Sequence, residues 1–242
     1  LSPFYIYIGG KKLYSGDIEV RSKLGSYATA YYSEDGGNDI IRYLMVDGSK
    51  SNDTVLKVFD ITEIANGKII TEDEEGKTEK YSYNSRGPVI YNGISVGIAL
   101  SLELLSDEEG ALLDGTLTLR DNDGDGKADV VIADVYENML VGQVDRIHDS
   151  VHDYYSYAKS IEIPSNDEEG RVELYATDGS KITINDLKPK NSLQVYRSKN
   201  EAGQPYLRAY VSTTAVSGTI DTITEKSGET VYEIGGIEYG VS

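Results

Sequence analysis

The sequence predicts an all-β fold, built of tandem small β-barrel or β-sandwich modules joined in a row, with little helix. Three observations predict it. Short stretches alternate apolar or aromatic with polar residues, and clusters of Gly, Asp and Asn separate them. Tyrosine, which favours strands and tolerates a half-wet sheet face, is abundant, with 20 Tyr against 2 Phe and no Trp. Segments of the chain also recur at a regular spacing.

The alternating stretches are distributed along the whole chain, as expected if strands and turns make up almost all of it. Residues 116–119 (Thr-Leu-Thr-Leu) predict a strand whose partner is residues 130–132 (Val-Val-Ile). Residues 95–105 are the one stretch that could form a short helix. Further alternation occurs at residues 5–8 and 181–184, and turn clusters lie at residues 34–38, 72–76, 178–179 and 235–236.

Internal repetition indicates how the chain is divided. Residues 141–147 (Val-Gly-Gln-Val-Asp-Arg-Ile) recur as residues 217–223 (Ser-Gly-Thr-Ile-Asp-Thr-Ile), and residues 65–70 (Ala-Asn-Gly-Lys-Ile-Ile) are a weaker copy. The glycines in the three copies are 75 and 76 residues apart. A module of that size, with about five strands, matches a small barrel or sandwich.

This repetition predicts four segments. They are an incomplete first module (residues 1–60), a second module with an Asp-rich hairpin (residues 61–141), a third module (residues 142–217) and a terminal hairpin (residues 218–242) that opens a further module or completes a neighbour's. In the first interpretation, which we favour, the chain is a window from a longer array. In the second, the hairpin adds to an exposed sheet edge of a neighbouring subunit, which gives head-to-tail filaments.

Composition restricts the partners and the chemistry. The net charge of −18 argues against binding to nucleic acid, whose phosphates would be repelled, and suits calcium or the cation-rich space near a cell wall. The chain has no Cys, which excludes a disulfide framework and Cys-ligated zinc. It also lacks a nucleophile elbow and a phosphate-binding glycine loop. The 41 acidic residues form no distinctive catalytic motif, so we expect no enzyme.

The location follows from the apolar pattern and from the first residue. The longest apolar run, residues 94–105, is too short and too often interrupted to cross a bilayer, so no membrane insertion is expected. The sequence starts at Leu1 rather than Met and shows no signal peptide, so we interpret the chain as processed or excised. The acidic charge and the lack of Cys fit this interpretation, and we expect a secreted protein.

Several segments resemble a known family. They are residues 89–93 (Val-Ile-Tyr-Asn-Gly), the strand of residues 115–120 with the Asp-rich turn that follows it, residues 216–220 (Val-Ser-Gly-Thr-Ile) and residues 235–239 (Gly-Gly-Ile-Glu-Tyr). Together they resemble the β-modules of Gram-positive (Firmicutes) cell-surface proteins associated with S-layer homology domains. The resemblance covers most of residues 89–242. It implies an extracellular structural or stalk role and carries over no catalytic residues.

The Asp-rich turn predicts a calcium (Ca²⁺) site. Carboxylates at alternate positions, followed by glycine and a further Asp, can converge several hard oxygens on one ion. The predicted ligands are the side chains of Asp121, Asp123, Asp125 and Asp129, with the backbone carbonyl of Lys127. The loop joins strands and lacks the Glu of an EF-hand. The alternative is a solvated Asp-Gly turn that needs no metal.

Two other groups of residues, the histidines and three clustered tyrosines, are candidate binding sites. His148 and His152, the two histidines, would align as metal ligands on a helix, but in the predicted hairpin they are expected to be exposed turn residues. Tyr154, Tyr155 and Tyr157 could form a sugar-stacking face, because strand alternation puts the last two on one side. Packing on the sheet is the preferred role for them.

These observations predict a structural building block of a bacterial cell surface: an S-layer, stalk or filament component, stabilised by stacking and by calcium. The expected partners are other copies of the chain or neighbouring modules of the same surface protein, and cell-wall glycan. The alternative is an extracellular carbohydrate-binding or adhesin module, which a row of coplanar exposed tyrosines would favour. An enzyme fragment would instead need two acids that face one cleft, with perturbed pKa values.

Overall fold

The computed structural model describes residues 5–8, 11–14, 23–35, 38–47, 52–73, 75–97, 99–164, 171–199, 205–226 and 229–241. Strands dominate this part of the chain, which confirms the all-β prediction. Its helical structure is limited to three 3₁₀ turns, Val58–Asp60, Glu103–Leu105 and Ile184–Asp186. Among the same residues, no helix has the length and apolar character needed to cross a membrane.

The strands are numbered in chain order. Those of the first half are β1 (Tyr5–Ile8), β2 (Lys11–Tyr14), β3 (Tyr27–Asp35), β4 (Asn38–Asp47), β5 (Asn52–Lys57), β6 (Ile61–Ala65), β7 (Lys68–Glu72), β8 (Thr78–Tyr83), β9 (Val89–Tyr91), β10 (Ile94–Ser95) and β11 (Asp114–Asp121). Those of the second half are β12 (Lys127–Ala128), β13 (Val130–Asp145), β14 (Ser150–Asp153), β15 (Ser160–Glu162), β16 (Val172–Ala176), β17 (Lys181–Ile182), β18 (Ser192–Lys199), β19 (Pro205–Ser212), β20 (Ile220–Lys226), β21 (Glu229–Ile234) and β22 (Ile237–Val241).

The described strands form four sheets. The first has the order β2-β1-β4-β3, and the last is the antiparallel meander β20-β21-β22. A third sheet has the order β12-β8-β7-β6. The large sheet follows the path β10-β9-β13-β18-β19-β16-β17, with β11 paired to β13 and β5, and with β14 and β15 continuing from the far end of β13. The first strand of each of three hairpins also pairs in parallel with a strand later in the chain. These parallel pairs are β1 with β4, β9 with β13, and β16 with β19.

Strand β13 is 16 residues long and takes part in two hydrophobic cores. Val131 and Ala133 pack into the first core, whereas Met139 and Val141 pack into the second. Alternate residues of a strand point to the same side, so these four side chains lie on one face of β13. The first part of that face packs into the first core, and the later part packs into the second. The boundary predicted between residues 141 and 142 lies within this strand. One continuous strand therefore joins the residues assigned to the second and third modules.

Each core lies between a three-stranded meander and a larger sheet. In the first core, Ile61 and Ile69 of the meander β6-β7-β8 pack with Leu117 and Val131 of the large sheet. In the second core, Val151 of β14 packs with residues of β16, β18 and β19. Burial of these aliphatic side chains supplies most of the folding free energy, at about 25 cal/mol per Å² of apolar surface.

The strand pair predicted across the Asp-rich turn is confirmed. Strand β11 pairs with β13 in antiparallel register, with Thr118 opposite Ile132 and Leu119 opposite Val131. The helix considered for residues 95–105 is wrong in most of its length, because within the described residues 95–97 and 99–105 only Glu103–Leu105 forms a 3₁₀ turn. Gly97 has a φ of +62°, a left-handed conformation that interrupts a right-handed helix.

Candidate functional site

The Asp-rich loop, residues 121–129, leaves β11 and returns through β12 to β13. Gly124 and Gly126 have φ values of +77° and +81°, which residues with a Cβ seldom adopt. These two glycines fold the chain back on itself within a few residues. The turn therefore brings the carboxylates at either end of the loop towards one another.

Backbone N–H groups of the loop donate to its own carboxylates. Gly124 N–H donates to Oδ1 of Asp121 at 2.8 Å, and Gly126 N–H donates to Oδ2 of the same carboxylate at 2.9 Å. Donation from Gly126 is the largest cause of a lowered pKa for Asp121, with partial opposition from desolvation. At the other end, Asn122 N–H donates to Oδ2 of Asp129 at 2.9 Å. The loop thus holds both end carboxylates in place, and its backbone donors favour the ionised form of Asp121, which a cation would bind.

Three of the predicted metal ligands come together. Asp121, Asp123 and Asp129 each place one carboxylate oxygen so that the three oxygens lie within 4.8 Å of one another. Calcium takes six to eight oxygens at about 2.3–2.6 Å, so oxygens that share one ion lie at most about 5 Å apart. The spacing fits a hard cation, with the remaining positions left to other oxygens or water.

The other two predicted ligands are placed differently. Asp125 is not a member of the group of three, and its Oδ1 instead accepts the N–H of Lys127 at 2.8 Å. Lys127 lies in β12, where it pairs in parallel register with Ser82 of β8. A carboxylate that caps its own turn two residues on is the usual arrangement of an Asp turn.

The two histidines engage separate partners. His148 Nδ1 lies 2.8 Å from Oδ2 of Asp145, and the His148 side chain is exposed. The ring of His152 stacks on Tyr157 with 4.1 Å between centroids and 1° between planes. Its Nδ1 lies 3.1 Å from the carbonyl oxygen of Tyr157. His148 is thus an exposed turn residue, as predicted. His152 differs from the prediction, because it is half-buried and lies within strand β14.

Strand alternation does not apply to Tyr154, Tyr155 and Tyr157, because they lie in the turn between β14 and β15. All three are exposed, and Tyr155 is 84% exposed, so their predicted packing on a sheet is wrong. Tyr154 meets Tyr155 edge to face at 5.2 Å, while Tyr157 stacks on His152. The rings therefore do not form a single flat face.

A different set of tyrosines does meet on a sheet face. Tyr136, Tyr175, Tyr196 and Tyr210 come from β13, β16, β18 and β19. Ring centroids are 5.2 Å apart for Tyr136 and Tyr196, and 5.7 Å apart for Tyr210 with either Tyr175 or Tyr196. We call these four residues the tyrosine patch.

Sequence reasoning missed the tyrosine patch because its members are far apart in the chain. A signal was present: all four directly follow an apolar residue that is buried in a core, in the pairs Val135–Tyr136, Leu174–Tyr175, Val195–Tyr196 and Ala209–Tyr210. Neighbouring side chains of a strand point to opposite faces, so these tyrosines lie on the face opposite the buried residues.

A cleft near β7 and β8 is lined by several acidic residues. Glycoside hydrolysis requires a pair of carboxyl groups, one of them a general acid with a raised pKa. The lining of this cleft includes Asp60, Asp73, Lys77, Glu79 and Tyr81. The Lys77 ammonium donates to Glu79 at 2.6 Å and lowers the pKa of that carboxyl. A general acid needs a raised pKa, so Glu79 is not suited to that role.

No protein-family profile, curated protein or solved structure matches this chain. The residues and their geometry therefore carry the functional assignment.

Proposed function

We propose that this protein is a structural building block of a bacterial cell surface, a secreted component of an S-layer, stalk or filament, made of tandem β-modules that associate head to tail. We assign it no catalytic role. One observation carries the proposal: the strand order β2-β1-β4-β3 has the same form as β10-β9-β13-β11 and β17-β16-β19-β18. In each group a hairpin strand pairs in parallel with a strand that also has an antiparallel partner.

The three-stranded meanders support the same division into modules. The pairs β6–β7, β13–β14 and β20–β21 each carry a register shift directly after the first paired residue of the earlier strand, at Ile61, Val141 and Ile220. A register shift at the same place in three pairs is the kind of feature that recurs in related modules, as β-bulges do. A four-stranded group and a meander together would make one module.

Exposed apolar side chains support the association. The meanders that contain β7 and β14 bury their apolar residues against a four-stranded group. On the meander β20-β21-β22, by contrast, Ile220, Ile223 and Ile237 are 53%, 60% and 58% exposed. Exposed apolar clusters of this kind mark interaction surfaces. We propose that this face packs on the sheet β2-β1-β4-β3 of the next module or subunit.

Calcium binding at the Asp-rich loop belongs to the same proposal. The cluster of Asp121, Asp123 and Asp129 supports it, because a cation between three carboxylates so close together would offset the repulsion of their negative charges. The loop connects β11 to β13, the strand shared by both cores. A bound ion would therefore stiffen the centre of the molecule rather than a free end.

Size-exclusion chromatography with light scattering, combined with electron microscopy, tests the association. The protein is expected to form larger species as its concentration rises, and Ile223→Glu is expected to abolish them because it places a charge on the apolar face. Thr224→Glu is the matched control, an exposed neighbour on the same strand that points to the other face. A strict monomer at every concentration, or equal loss in both variants, would contradict head-to-tail association through this face.

Calorimetric titration with calcium tests the metal site. Binding is expected for the wild-type protein and is expected to weaken by at least about tenfold in Asp121→Asn, since one ligand loses its charge. Asp107→Asn is the control, because that Asp also caps its own turn but lies outside the cluster. If all three proteins gave equal heats, or if the wild type gave none, the loop would not be a calcium site. It would then be a solvated Asp-Gly turn that needs no metal.

A further inference from the structure

The tyrosine patch has the form of a stepped aromatic platform. The rings of Tyr175 and Tyr210 are stacked with 27° between their planes, and Tyr196 meets Tyr210 edge to face at 84°. Tyr210, in the middle, is 38% exposed, while its neighbours are half-buried. One accessible ring is thus held at a fixed angle by rings on both sides.

Arg208 contacts two rings of the tyrosine patch and holds them in position. Its guanidinium carbon lies 5.3 Å from the ring centre of Tyr196 and 5.7 Å from that of Tyr210, within the range of cation–π attraction. Its Nε is buried and makes no hydrogen bond within the described residues. Asp134 lies near enough for its charge to interact with Arg208. Because these contacts hold the guanidinium in place, Arg208 acts as a positioning residue for both rings.

Polar groups surround the accessible ring. Gln194 is exposed and lies opposite Tyr210 in the β18–β19 register, and Glu173 lies opposite Arg208 in the β16–β19 register. Burial is the largest cause that raises the pKa values of Tyr175 and Tyr196 to about 12, and the Tyr175 hydroxyl is hydrogen-bonded to Glu173. Donors and acceptors therefore flank an aromatic ring on a face that is open to solvent.

We propose that the tyrosine patch binds a neutral carbohydrate chain, with one sugar ring stacked on Tyr210 and its hydroxyls bonded by Gln194 and Glu173. The C–H face of a pyranose is apolar and fits an aromatic ring, while its equatorial hydroxyls need partners at the edge. The surrounding carboxylates and the net charge of −18 disfavour anionic polymers, which leaves neutral glycans. This inference goes beyond the structural role and does not depend on it.

Affinity electrophoresis through gels that contain neutral polysaccharides tests the proposal, with β-glucan, xylan, mannan and soluble chitin derivatives as separate probes. The wild-type chain is expected to be retarded by at least one of them. Titration with the matching hexasaccharide then gives a Kd from tyrosine fluorescence, which is not obscured because the chain has no Trp. Tyr210→Ala is expected to raise that Kd by at least about tenfold, the loss of one stacked ring.

Two variants make the result specific. Tyr210→Phe keeps the ring and is expected to bind within about threefold of the wild type. Tyr155→Ala removes a more exposed ring outside the patch and is expected to leave the Kd unchanged. Repeating the titration with Ile223→Glu separates sugar binding from association between copies.

Three outcomes would overturn the proposal. The first is no retardation by any of the four polysaccharides and no hexasaccharide binding up to about 10 mM. The second is binding that Tyr210→Ala leaves intact. The third is loss of association between copies, rather than of sugar binding, in Tyr210→Ala, which would assign the patch to a second copy of the chain.

Discussion

Arg120 shows how one residue can tie distant parts of the chain together. Its guanidinium donates to both carboxylate oxygens of Asp53, at 2.9 and 2.8 Å, and is only 7% exposed. It also donates to the carbonyl of Leu24 at 3.0 Å and to the hydroxyl of Ser26 at 2.8 Å. The fork geometry of arginine is needed for this set, because lysine cannot present several donors in one plane.

Removing this guanidinium is expected to be costly. Arg120→Leu leaves the carboxylate of Asp53 and the carbonyl of Leu24 without their shared donor, so we expect the free energy of unfolding to fall by about 2–4 kcal/mol. Urea denaturation followed by circular dichroism measures the change. Arg86→Leu, in an exposed turn, is expected to leave the urea midpoint unchanged. Equal midpoints for the two variants would show that the network adds no stability.

Glu137 gives the protein a predicted dependence on pH. Burial alone would raise its pKa, but hydrogen bonds from Lys159 at 2.9 Å and Arg197 at 2.6 Å outweigh burial and lower it. A carboxyl with a lowered folded pKa adds stability that is complete above its ordinary pKa, about 4.3, and is lost as the pH falls through the folded value.

Glu137→Gln should therefore differ from the wild-type protein only where the carboxylate is ionised. We expect the wild type to be more stable by a constant amount above about pH 5.5, and this advantage to shrink to nothing as the pH falls below about 4. Urea midpoints measured from acidic to neutral pH give the difference curve. Glu162→Gln, on an exposed position of β15, serves as the control. An advantage that persists unchanged in acid would contradict the assignment.

At the scale of elements, Gly115 allows β11 to lie close against β13. Its φ is +130°, and a Cβ at this position would lie 2.1 Å from the carbonyl oxygen of Asp134 and 2.8 Å from the Cα of Val135. Both contacts are with backbone, which cannot move aside without breaking the pairing of the two strands. The position therefore requires glycine for its conformation and for its lack of a side chain.

Gly115→Ala is accordingly expected to lower the free energy of unfolding by about 3 kcal/mol or more, the combined effect of backbone strain and overpacking. Gly110→Ala separates the two effects, since Gly110 also has a positive φ, of +86°, but has no atom within 4 Å of its added Cβ. That control is expected to lose about 1–2 kcal/mol. Thermal unfolding by calorimetry compares them, and equal losses would show that the close approach of β13 is unimportant.

Local pattern explains which elements could be predicted from the sequence. Alternation and an Asp-Gly turn are short-range signals, so the pairing of β11 with β13 and the convergence of Asp121 with Asp129 followed from residues 116–132 alone. Parallel pairs such as β16 with β19 join residues more than 30 positions apart and leave no local signal. The tyrosine patch depends on that pairing, which is why Tyr175 and Tyr210 could not be matched in advance.

Turn geometry explains another difference, the placement of two tyrosines. Strand alternation predicts that Tyr155 and Tyr157 lie on one side of a strand, but this holds only if the strand continues past residue 153. In the structure β14 ends at Asp153. The carboxylate of Asp153 ends it by accepting the N–H groups of Tyr155 and Ser156, at 2.8 and 3.0 Å. Here a local hydrogen bond from backbone to Asp competed with the longer-range pattern. The absence of Asp125 from the acidic cluster has no such explanation, because Asp123 belongs to the cluster and also caps its own turn, by accepting the N–H of Asp125 at 3.1 Å.

At the scale of the whole molecule, the shared strand β13 couples two cores that would otherwise be separate. Leu117 is fully buried in the first core and Leu193 in the second, and both strands that carry them pair with β13. Loss of either core removes hydrogen-bond partners from one half of β13. Since cooperative units follow shared strands and shared burial, the two cores should unfold together.

Leu117→Ala and Leu193→Ala test this coupling. Each is expected to lower the free energy of unfolding by about 2–5 kcal/mol, the usual effect of such a truncation in a packed core. Hydrogen exchange should show that either variant reduces protection in both β7, beside the first core, and β19, beside the second. Val55→Ala, at a 61% exposed position, should change neither. If Leu117→Ala reduced protection only around β7, the two cores would be independent units and β13 a simple connector, because a strand that transmits stability must lose it at both ends.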